Sequence, residues 1–331
     1  MLFAYLSVKF DVRPKEFICP DRNMKRKKIK IAYFAGLLFL MGIVAFFVFG
    51  KKSTAIILSV PKAGDLIVMV QQAPTGWGYR MFDLEKGDVG GAVFLDTAVC
   101  ITAAFSPDRR TIAGTGNPKI VNDMHAFVIT TVDLETRSHT DFNPDIFASD
   151  QVSWNPQGTH IAYKHTETMY GASALGILDV RTGKRTVHGI SPQLVKTPVW
   201  NKDGNEILAL VVNDTSSHFH VFSISNDTWR RLPIAASIMT TKISRLAEKN
   251  LFFFCGAVDA RQGLFTMDLD SNSLKTLFTG ECMEATVSPA GDKIAMIVVR
   301  NGKHQLAIYD VASAALKQYT TSMEVYWPNW L

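Results

Sequence analysis

Apolar residues in this chain fall into short runs separated by turn residues, and the runs return at a fixed period. An apolar anchor, a polar turn and a second apolar run appear as Phe105-Ser106-Pro107-Asp108, Trp154-Asn155-Pro156-Gln157-Gly158, Trp200-Asn201-Lys202-Asp203-Gly204 and Val287-Ser288-Pro289-Ala290-Gly291. Degenerate copies sit at Val60 and Ile243, and a partial copy, Trp327-Pro328-Asn329-Trp330, matches Thr197-Pro198-Val199-Trp200. The anchors at 60, 105, 154, 200, 243, 287 and 330 are 43 to 49 residues apart, the period of a propeller blade.

A second motif keeps the same period. About 23 to 28 residues after each anchor comes an apolar-Asp-apolar triplet before a turn: Phe82-Asp83-Leu84, Val132-Asp133-Leu134, Leu178-Asp179-Val180, Met267-Asp268-Leu269 and Tyr309-Asp310-Val311. Ser223 replaces the aspartate in the fourth copy. Each unit reads as four strands. The Pro-Asp-Gly turn follows the first, a run such as Ile161-Ala162-Tyr163 forms the second, the triplet ends the third, and a hairpin such as Arg181-Thr182-Gly183-Lys184 leads into the fourth. Phe252-Phe253-Phe254 reads as a strand buried on both faces.

The predicted fold is therefore all-β: a six-bladed β-propeller of four-stranded blades over residues 51–331, preceded by one N-terminal transmembrane helix. Residues 324–331 are expected to close the ring by pairing into the first blade. Thr54 to Val60 would serve as the same strand, and both cannot occupy one place.

These motifs resemble the bacterial TolB-type propeller repeat, whose consensus runs roughly W-S-P-D-G-x-x-I-A-F and later apolar-Asp-apolar before a turn. The resemblance covers about residues 55–331. It implies a six-bladed propeller of the kind found in extracytoplasmic bacterial proteins. The family's namesake carries an α/β domain before its propeller, and the 53 or so residues that precede the propeller here are too few for one. The same repeat occurs in oligopeptidase gating domains and in some lyases, so the fold does not fix the function.

Ile31 to Gly50 contains no charged residue, and twenty residues of helix span about 30 Å, the thickness of a bilayer core. Eight Lys and Arg lie in the twenty residues before it and three in the twenty after, which predicts a cytoplasmic N-terminus and an exported propeller. The reading is a cytoplasmic basic tail (1–30), a signal-anchor helix (31–50) and a periplasmic propeller held at the inner membrane. A cleaved signal peptide is the rival, with Ser53-Thr54-Ala55 as a faint cleavage site. Met24-Lys25-Arg26-Lys27-Lys28 resembles the start of an exported protein, so either Met1 or Met24 can be the first residue.

Charge follows the same division. Residues 1–50 carry a net +6 and residues 51–331 a net −1, so the pI of about 8.9 reports topology rather than a nucleic-acid-binding face. Of the four cysteines, Cys19 would be cytoplasmic, and Cys100, Cys255 and Cys282 would be exported. They read as buried apolar fillers, with Cys255 and Cys282 the better-placed pair because their units adjoin.

Chemistry is sparse. G-x-S-x-G, C-x-x-C, H-E-x-x-H, P-loop and sialidase-type boxes are absent, and no cofactor is expected. Asp268-Leu269-Asp270-Ser271-Asn272 begins like a calcium loop but lacks its glycine and distant glutamate, so it reads as a hairpin turn. His218 and His220, two apart on a predicted strand, share a face as a weak metal-ligand pair would, without a third ligand. His160 and His165 flank another strand, either towards a channel mouth or as ordinary surface residues. Trp154, Trp200 and Trp330 read as blade packing. Extra residues at Gln72–Gly78, Asn117–Met124 and Thr166–Gly171 would lengthen one rim and offer a binding surface.

The functional expectation is a membrane-anchored scaffold that binds a protein or another cell-envelope component and no nucleic acid. The alternatives are a channel-site enzyme, a hydrolase or lyase on glycan or peptide, and a sensor of a small ligand.

Overall fold

The computed structural model describes residues 66–330, apart from residues 74–75, 86, 89–101, 122–123, 137, 143–150, 167–171, 191–192, 214–215 and 320–324. The expected span at 31–50, the Thr54–Val60 strand, Cys19 and Cys100 lie outside the described residues. Every element among the described residues is a β-strand, and every paired strand is antiparallel.

Five blades are each built from four consecutive strands. Blade B comprises Thr102–Phe105, Thr111–Val121, Met124–Asp133 and His139–Phe142; blade C, Val152–Trp154, His160–Thr166, Ser173–Asp179 and Arg185–His188. Blade D comprises Leu194–Trp200, Glu206–Val212, Ser217–Ser223 and Thr228–Arg231; blade E, Ile238–Arg245, Leu251–Val258, Arg261–Asp268 and Ser273–Thr279. Blade F comprises Cys282–Val287, Lys293–Arg300, Lys303–Asp310 and Leu316–Tyr319. Sheet A is a composite: Leu66–Ala73 and Gly76–Asp83 pair, the inner strand is the C-terminal Val325–Trp330, and the outer strand is only Gly87–Asp88.

This corrects the expectation of a six-bladed propeller of four-stranded blades. The self-contained blades number five, sheet A is assembled from both ends of the propeller, and no helix occurs among the described residues. Motif spacing counts anchors, and an anchor does not reveal whether all four strands follow it. The C-terminal partial copy does enter sheet A, with Trp330 opposite Ile67. The inner strands of A, B, C, D, E and F neighbour one another in that cyclic order, so they line a channel.

The packing follows from the alternation of strand side chains. Phe252 and Phe254 enter one cluster with Leu208, Leu210, Phe219 and Val221 of blade D, whereas Phe253 and Cys255 enter the next with Met296 and Tyr309 of blade F. Both faces of that strand are buried because a blade is covered on both sides, which is why it reads as a continuous apolar run. Cys255 and Cys282 are paired as a disulfide across this second seam, with Cα atoms 5.5 Å apart, so the expectation that they are unpaired fillers does not hold. Gly176 is required by close approach: a Cβ there would meet the Tyr163 ring at 2.2 Å.

Turn chemistry explains both repeating motifs. Asn155 and Asn201 each accept backbone N–H groups from the far side of the turn at 2.8–3.1 Å. Ser106 and Ser288 do the same through Thr111 and Lys293 at 3.0 Å while donating to Asp108 and Asp292. The triplet aspartates cap the outer hairpins: Asp133 accepts from Glu135 and Thr136, Asp179 from Arg181 and Thr182, and Asp310 from Ser313. Hydrogen bonding to the ionised form holds these carboxyls below the usual value, through the Thr136 N–H for Asp133 and the Ser313 hydroxyl for Asp310.

Candidate functional site

Four anchors tie their sheet to the one before it. Trp154 donates its indole N–H to the Ala104 carbonyl of blade B, and Trp330 donates to the Thr286 carbonyl of blade F, each at 3.0 Å. One residue before the anchor, Ser153 and Ser244 accept the anchor N–H of the following blade, from Trp200 at 3.4 Å and Val287 at 3.1 Å. Trp154 and Trp330 thus combine packing with a directional indole bond between blades, whereas the buried Trp200 indole N–H has no hydrogen-bond partner among the described residues.

Register moves one anchor. Leu246 N–H donates to the Leu251 carbonyl as Ser106 does to Thr111 and Asn201 to Glu206, and Arg245 faces Phe252 as Trp200 faces Ile207. The anchor of blade E is therefore Arg245, two residues beyond Ile243. Its turn, Leu246 to Asn250, contains neither proline nor glycine, so the sequence pattern gave nothing to align.

With that correction a polar column appears three residues before the anchors: Gln151 in blade C, Thr197 in D, Lys242 in E and Glu284 in F. Thr197, Lys242 and Glu284 are buried. In D, E and F the column falls on a β-bulge, where Thr197-Pro198 opposes Ala209, Thr241-Lys242 opposes Cys255 and Glu284-Ala285 opposes Met296. Thr197 and Glu284 adopt φ of 45° and 58°, a left-handed conformation that costs about 1 kcal/mol in a residue with a Cβ. Bulges re-aim side chains, here on the channel wall.

Two of these residues reach past the neighbouring blade. The Gln151 amide receives the Ile243 N–H at 2.7 Å and donates to the Ile243 carbonyl, bridging blades C and E past D. Lys242 Nζ donates to the Pro328 carbonyl at 2.5 Å and to Asn329 Oδ1 at 3.1 Å, bridging blade E to sheet A past F. Burial lowers the Lys242 amine from 10.5 to about 8, against the opposing pull of Glu284.

Beside these bridges lies a cavity of about 430 Å³ to which all six inner strands contribute. Its wall is made of the inner strands and of the first turns that follow them, Ser106-Pro107, Asn155-Pro156 and Ser288-Pro289 among them, with Arg109, Lys242, Arg245 and Glu248 as its charged residues. Arg245 also donates to the Leu246 carbonyl of its own turn at 3.0 Å. The cavity is thus a cationic recess whose inner part is crossed by side chains. A second cavity, about 560 Å³, follows the C–D seam beside Ile177, Trp200 and Phe222. There His188 Nδ1 lies 2.7 Å from Asp227, and its ring packs on Phe222 with centroids 4.5 Å apart.

The residues singled out in the sequence are dispersed. His218 uses both ring nitrogens, towards the Ala236 carbonyl and Ser216 Oγ, each at 3.1 Å. His220 is buried, its Nδ1 faces the His218 carbonyl at 3.3 Å, and burial lowers its pKa. Among the described residues no group of three His, Cys, Asp or Glu side chains is placed to hold a metal ion. Asp268 accepts the Asp270 and Ser271 N–H groups as an ordinary hairpin cap. His160 lines the seam cavity, and His165 packs edge-on to Tyr163. The Asn117–Met124 insertion is a lengthened hairpin, with Lys119 opposite Ala126 and Val121 opposite Met124, and as a second-to-third-strand connection it lies at the end opposite the first turns. Gln151, Lys242 and Glu284 carried no motif, and only repeat alignment with the right anchor brings them out.

Residues 144–330 match the TolB beta propeller domain family, PD40. The chain belongs to the TolB β-propeller family. Among solved structures it is similar to TolB from Acinetobacter baumannii, with TM-score 0.65 and 15% identity over 80% of this chain and 66% of that one. A chain of a nidogen/laminin complex matches with TM-score 0.60 and 11% identity, covering 80% of this chain and 97% of that chain. A putative TolB from Agrobacterium tumefaciens matches with TM-score 0.58 and 11% identity, covering 79% and 91%. At these identities the likeness concerns the fold, and this chain spans only about two thirds of the Acinetobacter protein. No curated protein matches the sequence.

Proposed function

We propose that this TolB-family propeller is a protein-interaction scaffold of the bacterial cell envelope, anchored in the inner membrane by Ile31–Gly50 and exposed to the periplasm. The observation that carries the interaction reading is the cationic recess at the first-turn end of the channel, built jointly by all six inner strands. A rigid ring holds such a recess in one shape, so a partner segment binds without ordering the site first. Two of the similar solved structures are named TolB, and a third belongs to a nidogen/laminin complex, which is consistent with propellers of this shape meeting other proteins.

The Cys255–Cys282 disulfide supports the exported location, because such bonds persist in oxidising compartments. The charge asymmetry around residues 31–50 supports the orientation. A membrane anchor would raise the local concentration of the propeller beside envelope partners.

The test is crosslinking of the full-length protein in intact cells, followed by purification from membranes. The scaffold reading predicts a stoichiometric protein partner and a propeller that external protease reaches in spheroplasts. A soluble, protease-shielded protein with reduced Cys255 and Cys282 would refute the location. Repeated isolation without a partner would refute the scaffold.

The lowered pKa of Lys242 beside a solvent-connected recess favours one second reading, a channel-site hydrolase or lyase, since perturbed groups gather at active sites. Turnover of glycan or peptide substrates abolished in Lys242→Met would establish it.

A further inference from the structure

Lys242 presents an energetic problem that its own neighbours do not solve. A buried ammonium costs several kcal/mol unless it is well compensated, and a leucine or methionine would fill an inter-blade position at no such cost. The described partners are two neutral acceptors, the Pro328 carbonyl and Asn329 Oδ1, and the more distant attraction of Glu284. Their sum falls short, since burial still outweighs attraction and lowers the amine to about 8.

The charges around it are mostly positive. Blade B brings Arg109 to the cavity, and blade E brings Arg245 and Glu248 besides Lys242 itself. The parts of blades C and D and of sheet A that line it bring no ionisable group: Gln151 to Pro156, Val199 and Trp200, Asn329 and Trp330. Blade F adds Glu284 behind the lysine, while its own lining residues, Thr286 to Pro289, carry no charge. Three cations, Arg109, Lys242 and Arg245, therefore stand against two carboxylates, Glu248 and Glu284, at the recess, which leaves it net positive.

We infer that the recess is an anion site that recognises a carboxylate, with Lys242 as its inner contact and Arg109 and Arg245 as its outer ones. This deepens the scaffold reading and rests on it for the choice of recess. The carboxylate comes either from an acidic segment of a partner protein or from a free dicarboxylate. An entering carboxylate supplies the compensation that Lys242 lacks, so binding favours the protonated amine. The two arginine side chains add charge that attracts the anion at the mouth of the recess. Affinity is therefore constant below about pH 8, falls above it, and levels once the pH passes the raised midpoint of the liganded amine, because the carboxylate itself does not titrate there.

The experiment titrates purified full-length protein in detergent with succinate and, separately, with an acidic peptide of alternating Asp and Gly whose ends are blocked. Binding is followed by calorimetry from pH 6.5 to 10 at constant ionic strength, with ¹³Cε-labelled lysine reporting Lys242 by NMR. The expected result is saturable binding, a rise of one unit or more in the Lys242 midpoint, and loss of the slope above pH 8 in Lys242→Met. Arg109→Gln, on an exposed turn away from the inter-blade core, should weaken binding about fivefold and keep the slope, which covers the case of Lys242→Met failing to fold. Tighter binding of the peptide identifies a partner segment as the source, and tighter binding of succinate a free dicarboxylate. No binding of either probe at about 10 mM, roughly a 3 kcal/mol interaction, overturns the inference. So does binding with no pH dependence and no response to either substitution. A partner captured by crosslinking together with failed carboxylate binding would sink the anion site and leave the scaffold standing.

Discussion

The outer hairpins and the channel wall descend from the same repeat and use it in opposite ways. At the hairpins the repeat is kept: Asp133, Asp179, Asp268 and Asp310 each cap a turn with the same backbone bonds. Three residues before each anchor it is abandoned, and glutamine, threonine, lysine and glutamate succeed one another from blade C to blade F. Positions that build every blade alike hold the same chemistry, whereas positions facing a shared axis must differ for the ring to have a binding face. Identity across the repeats marks structure here, and difference marks the site.

The largest effect should come from breaking an inter-blade anchor. Trp154→Ala removes a large packed ring and its bond to Ala104, with an expected loss of about 3–5 kcal/mol in denaturant unfolding. Trp154→Phe keeps most of the packing and loses the bond alone, about 1 kcal/mol. Equal losses from the two variants would show that burial contributes nothing beyond the indole bond.

Reduction of Cys255–Cys282, or Cys282→Ser, should lower stability by about 2–4 kcal/mol, read as a fall in the urea midpoint that reductant reproduces in the native chain. A midpoint indifferent to reductant would mean that the two thiols are not joined in the folded protein.

Lys242 titrates differently from the hairpin aspartates. Its folded pKa, about 8, lies below the 10.5 of a free lysine, so between those values the unfolded chain holds a proton that the folded chain has released. Stability should therefore rise with pH across that window by up to about 3 kcal/mol relative to Lys242→Met, seen as a difference in slope between the two unfolding profiles. Parallel profiles would place Lys242 in solvent.

The smallest effect is that of one hairpin cap. Asp310→Ala should lower the urea midpoint slightly near neutral pH through the lost bonds to Ser313. The folded pKa of Asp310 lies below 3.8, so its contribution is present above that value and fades as pH falls through the folded pKa. The variant and the native chain should converge in acid, and a constant gap down to pH 2 would exclude the carboxylate as the cause.

These contrasts also explain what the chain reveals by itself. The Asp and Ser/Asn turns are legible because local hydrogen bonding selects the residue at a fixed offset. The tryptophan anchors are legible because inter-blade burial repeats. Sheet A was legible in part: the partial copy Trp327–Trp330 pointed to the closing strand Val325–Trp330, whereas an outer strand of only two residues leaves no mark on spacing. Blade E hid its anchor because Arg245 is charged and its turn lacks proline and glycine, and with the anchor misplaced by two residues Lys242 could not be aligned with Gln151, Thr197 and Glu284. Cys255 and Cys282 needed strand register as well as blade adjacency, because only register brings their Cα atoms to 5.5 Å.

The central claim, that this propeller meets its partner at the first-turn end of the channel, is tested most directly with a photo-crosslinking residue placed at either end of one blade. Glu248 is exposed at the recess and Asp259 is exposed on the hairpin at the opposite end of blade E. In full-length protein illuminated in intact membranes, the account predicts a captured partner from position 248 and none from position 259. Capture from 259 alone would place the binding face on the lengthened hairpins and contradict the account.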